Sequence, residues 1–124
     1  MTSNTDTLQK PSKDALEDII EQQLRLLRIT GNLKGLRYHT RAIASAICQP
    51  DLTISMTRDL YPLVADRCRA TAHGVERAMR TAVKACWERG GRETLDQMAG
   101  YHLTERPTNA EFIDLVANYI SRRM

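Results

Sequence analysis

Apolar residues recur along this chain at steps of three and four, the period of an amphipathic helix. Leu16, Ile19, Ile20, Leu24 and Leu27 predict a first helix that opens at Ser12 or Asp14. Thr30-Gly31-Asn32 ends it, with Gly31 suited to a left-handed C-cap. A second helix spans Leu36 to Ile47 around Tyr38, Ile43, Ala44 and Ile47, and Pro50-Asp51 closes that unit. Thr57 is the expected cap of a third helix running through Arg67, with Leu60, Val64 and Cys68 inward and Pro62 within its first turns. Thr71 caps a fourth, which runs to about Arg89 and stops at Gly90-Gly91. A short fifth covers Thr94 to Met98, and Pro107-Thr108 introduces a last helix from Asn109 to Ser121. Its stripe is Phe112, Ile113, Val116, Ala117 and Ile120. Leu52-Thr53-Ile54 is too short to read as a strand, so the prediction is an all-α, six-helix domain.

Length and composition refine this picture. A chain of 124 residues fits one domain. Residues 1–13 are polar apart from Leu8 and read as a disordered tail or linker, leaving 14–124 as the helical domain. Aromatic residues are only 5% of the chain, so the core is mainly aliphatic. Trp87 is the expected anchor of the fourth helix in that core. Cys48, Cys68 and Cys86 form no CxxC pair and read as reduced, small hydrophobes. No apolar run reaches membrane-spanning length and no secretory signal stands at the start, so a cytoplasmic location without membrane contact is expected.

Charge is uneven. The net value is only +3, but the segment Arg58–Arg92 holds eight Arg and Lys against four Asp and Glu. Such a segment suits a polyanionic partner. At 100° per residue, His73, Arg77, Arg80 and Lys84 lie within about 60° of one another on the fourth helix. Val75, Met79, Ala82 and Cys86 fall on its opposite side. Ala72 and Gly74 are small enough for close approach, and the Thr71 cap with the first amides suits a phosphate oxygen. Arg77 or Arg80 fits either a bidentate contact to guanine or a phosphate grip. Spacing alone also fits a solvated basic face. Asp66 and Glu76 balance nearby arginines, Glu76 pairing with Arg80 one turn on.

Other chemistries find little footing. His39, His73 and His102 are far apart and lack metal-ligand spacing, so no zinc or other metal site is expected. No nucleophile motif or glycine-rich phosphate loop occurs, so neither catalysis nor a cofactor is expected. Tyr101 and His102 fall in the loop before the last helix, as surface residues with phosphate contact as the alternative.

The stretch Leu60–Trp87, LYPLVADRCRATAHGVERAMRTAVKACW, resembles the C-terminal DNA-binding effector domain of the sporulation-initiation master response regulator family. So do GNLKGLRYHTRAI before it and RPTNAEFIDLVANYI after it, and the resemblance runs from Leu16 to Ile120. Its most specific pieces are Thr71–Arg80, the helix end Trp87-Glu88-Arg89-Gly90, and Arg106–Phe112. The resemblance implies that the third and fourth helices form a helix-turn-helix in a winged-helix-like domain, here with no wing predicted. It implies binding to a short box in double-stranded promoter DNA, often in tandem copies, which admits a homodimer on DNA. It also implies activation or repression of sporulation and stationary-phase genes, and contact with the RNA polymerase sigma factor near the final helices.

By position, Thr71, His73, Gly74 and Arg77 fall where that family's recognition helix meets DNA. Arg80 and Lys84 continue the row, and Arg58, Arg69 and Arg106 are candidate phosphate contacts. Two departures stand out. The family commonly has Ser then Arg where this chain has His73 and Gly74, and a lost bidentate donor of roughly 1–3 kcal/mol is enough to change the preferred box. The family also places a phosphorylatable receiver ahead of this domain, and none fits residues 1–13. The chain thus reads as an excised effector half or a stand-alone relative. The alternative is a helical interaction module that does not bind DNA and acts on a sigma factor or a full-length paralogue.

Overall fold

The computed structural model describes residues 12–30 and 33–124. Six α-helices occur among them: α1 (Lys13–Leu26), α2 (Lys34–Cys48), α3 (Tyr61–Cys68), α4 (Ala72–Glu88), α5 (Arg92–Ala99) and α6 (Asn109–Ser121). The tail expected over 1–13 lies outside the described residues except for Ser12, which caps α1, and Lys13, which opens it. The Ser12 hydroxyl accepts from the Ala15 amide at 3.2 Å.

Helix α1 buries Leu16, Ile20 and Leu24 and then stops in a Schellman turn. The Ile29 amide donates to the Leu24 carbonyl (3.1 Å) and the Arg28 amide to Arg25 (3.0 Å). The left-handed residue of this turn is Arg28, with φ of 70°. Gly31, expected in that role, lies outside the described residues. Leu24 and Ile29 on either side of the turn are both fully buried, and that burial offsets the cost of a left-handed residue with a side chain at Arg28.

Helix α2 is the central element, packed against α1, α4 and α6 and buried from Gly35 to Ile47 on all but a narrow strip. Where it crosses α4, Gly35 is required. A Cβ there would stand 2.5 Å from the Ala82 Cβ and 2.6 Å from the Ala78 carbonyl oxygen.

Between α2 and α3 the chain departs from expectation. Pro50–Ser55 forms a 3₁₀ segment and Met56–Leu60 a π turn, so α3 begins at Tyr61 and Thr57 caps nothing. Pro62 is the cause. It has no N–H to give the Arg58 carbonyl, and its ring crowds that carbonyl, so the turn before it widens. The Tyr61 amide accordingly reaches back five residues to the Met56 carbonyl. Thr53 ties the 3₁₀ segment to α6 by donating to Asp114 Oδ1 at 2.7 Å.

Helix α6 starts from a full capping box: the Glu111 amide donates to Thr108 Oγ1 and the Thr108 amide to Glu111 Oε1. Phe112, Ile113, Val116, Ala117 and Ile120 then enter the core as the stripe requires. Cys68 and Cys86 are buried within the core, whereas Cys48 is exposed. No helix among the described residues is long and apolar enough to cross a membrane.

Candidate nucleic-acid interface

Helices α3 and α4 are joined by Arg69, Ala70 and Thr71. Arg69 takes the left-handed conformation (φ 54°, ψ 48°), and the Ala70 amide closes the turn on the Ala65 carbonyl at 2.9 Å. Thr71 starts α4 by accepting the Gly74 amide on its hydroxyl oxygen at 3.0 Å. Local chemistry therefore sets where α4 begins.

Tertiary packing sets how it is rotated. Val75, Met79, Ala82 and Cys86 have no exposed surface, and Val83 joins them inside. From α2, His39 is fully buried beneath α4, its Nε2 3.0 Å from the Met79 carbonyl oxygen and its ring edge-on to Phe112 at 4.9 Å between centroids. A carbonyl accepts only, so Nε2 carries the proton. Burial drives the His39 pKa down to about 4, outweighing the Met79 hydrogen bond, which favours the protonated form. Its Nδ1 has no partner. The Cys86 thiol is likewise pushed up, to about 11, by burial.

The outward face carries His73, Arg77, Arg80 and Lys84, all exposed. Arg80 is held by Glu76, with Nε to Oε2 at 3.1 Å. No ion pair among the described residues engages Arg77 or Lys84. Gly74 lies in the first turn with its Cα facing the cap, and a Cβ there would come 3.0 Å from Thr71 Oγ1.

Of the flanking cations, Arg106 shares a cleft of about 420 Å³ with Arg80, Glu76, Tyr61 and Asn109. Arg69 projects from the inter-helix turn, exposed. Arg58 does not line that cleft; it lies in the π turn, held by Asp59 at 3.2 Å.

Three residues that hold α4 were not singled out as site residues from the sequence: Asn109 and Tyr61 near the outward face, and His39 beneath the helix. Asn109 at the start of α6 is 8% exposed, and its amide nitrogen lies 3.0 Å from the Tyr61 hydroxyl and 3.3 Å from the Glu76 carbonyl. Burial raises the Tyr61 pKa, with Glu76 adding to it against the Asn109 hydrogen bond and Arg80. His39 carried a readable signal, since it precedes Ile43 and Ile47 by four and eight residues on one helical stripe. Asn109 and Tyr61 are 48 positions apart, and no local spacing joins them.

Trp87 packs against the core as expected, but from its edge and not from within. It is half-buried, and its ring is covered by the Arg92 guanidinium at 4.1 Å, whose Nε donates to the Trp87 carbonyl at 2.8 Å. Tyr101 is 65% exposed, while His102 is drawn back onto Asp96, 2.8 Å away. The Asp96 carboxyl is held below its usual range mainly by the Leu103 amide, with His102 next. Among the described residues, no three His, Cys, Asp or Glu side chains converge as metal ligands.

Residues 20–120 match the family described as "Sporulation initiation factor Spo0A C terminal". The match covers well over half of the chain, which therefore belongs to that family: it is a DNA-binding effector module of transcription, not an enzyme.

Proposed function

We propose that α3 and α4 act as a helix-turn-helix and that the N-terminal half of α4 enters the major groove of promoter DNA. The division of α4 into a sealed inner face and an exposed cationic row carries this reading. Thr71 uses an oxygen lone pair for its cap and keeps its proton for a phosphate. His73 and Arg77 face base edges, and Gly74 lets the backbone come close. Arg80 and Lys84 follow the phosphates further along, with Arg58, Arg69 and Arg106 as flanking contacts. The regulated genes are those of sporulation or stationary phase. The sigma factor of RNA polymerase meets the α5–α6 side, and two copies sit side by side on DNA. The segment ahead of α1 serves as a tail or linker.

Selection of bound duplexes from a random library tests the reading, followed by Arg77→Ala on the enriched sequence. Loss of one bidentate contact, roughly 1–3 kcal/mol, lowers affinity about five- to 150-fold, with helical circular dichroism unchanged. Unaltered affinity would remove Arg77 from the reading face. The second reading, a protein-interaction module, is favoured by two observations: Gly74 offers no donor, and Glu76 already occupies Arg80. It expects no enriched duplex and binding to purified sigma factor instead.

A further inference from the structure

We infer that Asn109 is a positioning residue for DNA reading, which fixes α4 against α3 from the start of α6. The inference rests on the proposed role of α4. Asn109 opens α6 inside the capping box, directly after its Thr108 cap, so its backbone is fixed by Thr108 and Glu111. Its side chain turns inward, and its amide nitrogen has two hydrogens, one for each acceptor. One acceptor is the hydroxyl of Tyr61, the first residue of α3; the other is the carbonyl of Glu76, in the second turn of α4. A single buried amide thus spans both helices of the proposed reading unit and ties them to a third.

The two tied points sit beside the DNA-facing row. Glu76 holds Arg80 and lies one residue before Arg77. Apolar packing behind α4 fixes its depth, but it tolerates small rotations and slides because dispersion contacts have little directionality. Hydrogen bonds to a named carbonyl and a named hydroxyl do not. Base edges demand placement within a fraction of an ångström, whereas phosphates tolerate more. Loss of the Asn109 link should therefore weaken sequence preference more than general attraction to DNA.

The test uses the whole chain with two probes, the duplex it enriches from a random library and a shuffled duplex of equal length. One hydrogen bond is worth about 1 kcal/mol, so Asn109→Ala should lower the ratio of the two affinities about fivefold or more. Affinity for the shuffled duplex and its salt slope should hold. Tyr61→Phe keeps the ring and removes only the hydroxyl, so it should lower the ratio about two- to threefold, while the melting temperature falls by only a few degrees and the domain stays folded. Because both act on one link, the double variant should be no worse than Asn109→Ala alone. A purely structural Asn109 would reduce binding to both duplexes in step with the unfolded fraction and leave the ratio intact. That result, or a Tyr61→Phe ratio equal to wild type, overturns the inference. If the wild-type chain enriches no duplex, the DNA reading itself fails, and this outcome is distinct from the other two.

Discussion

The two faces of α4 share one backbone and one cap but are held in place by different means. The inner face has no exposed surface and is fixed by α2 and α6: Gly35 lets α2 come within contact of Ala78 and Ala82, and His39 bonds the Met79 carbonyl. The side chains of the outer row make no ion pair outside their own helix among the described residues, their one bridge being the local Glu76–Arg80 pair. Changes on the inner face should therefore act on whether the domain folds. Changes on the outer face should act on what it binds, at almost no cost to folding. His73 is exposed on that outer face, and Gly74 sits half-buried in the first turn beside it.

The largest effect expected on the inner face is that of Met79→Ala, a large-to-small change at a site with no exposure. Such a change costs about 2–5 kcal/mol, read as a lowered denaturation midpoint. The preferred duplex should be the same wherever the variant remains folded, and an altered preference would break the division between the faces.

Acid sharpens the comparison next. His39 titrates at about 4 in the folded chain and near its ordinary value of 6.5 when unfolded. The unfolded chain therefore takes up the proton first as pH falls. Stability from this residue is complete above about 6.5, declines as pH drops, and levels off below about 4, a total near 3 kcal/mol. Urea titrations at stepped pH measure the slope. His39→Gln, which keeps an amide donor for the Met79 carbonyl, should flatten it. A slope unchanged in that variant assigns the acid response to other groups.

The smallest effect on stability belongs to Gly74→Arg. The new side chain gains about 0.5–1 kcal/mol of helix preference over glycine but presses a Cβ toward Thr71 Oγ1. Thermal melting should move by only a few degrees in either direction. Affinity for duplex DNA should rise about tenfold through the added donor. Destabilisation as large as that of Met79→Ala would show that the first turn is not free to vary.

Much of the fold was legible because helices announce themselves locally. The stripes of α1 and α6, the Thr71 cap and the Gly90 stop all follow from side chains within one or two turns of each other. Legibility failed where a distant or competing term decided. The π turn before α3 reflects a missing donor at Pro62 acting backwards on Met56–Leu60, against a pattern that reads as continuous helix. Arg28 and Arg69 hold left-handed positions for which glycine is the usual signal. In each case a hydrogen bond that closes the turn onto a buried helix residue compensates, and that burial is a property of the assembled fold. At the candidate interface, the outward row on α4 followed from helical period alone. The residues that hold that row in place did not, because Asn109, Tyr61 and His39 find their partners 33 to 48 positions away.

The cysteines give the chain a practical asymmetry. Cys48 stands in the open at the last turn of α2, while Cys68 and Cys86 are enclosed and burial pushes the Cys86 thiol further from its reactive thiolate form. A thiol-reactive dye thus has one address on the native protein, with no engineering needed to create it. The two enclosed sulfurs act as a seal that breaks only when the domain opens.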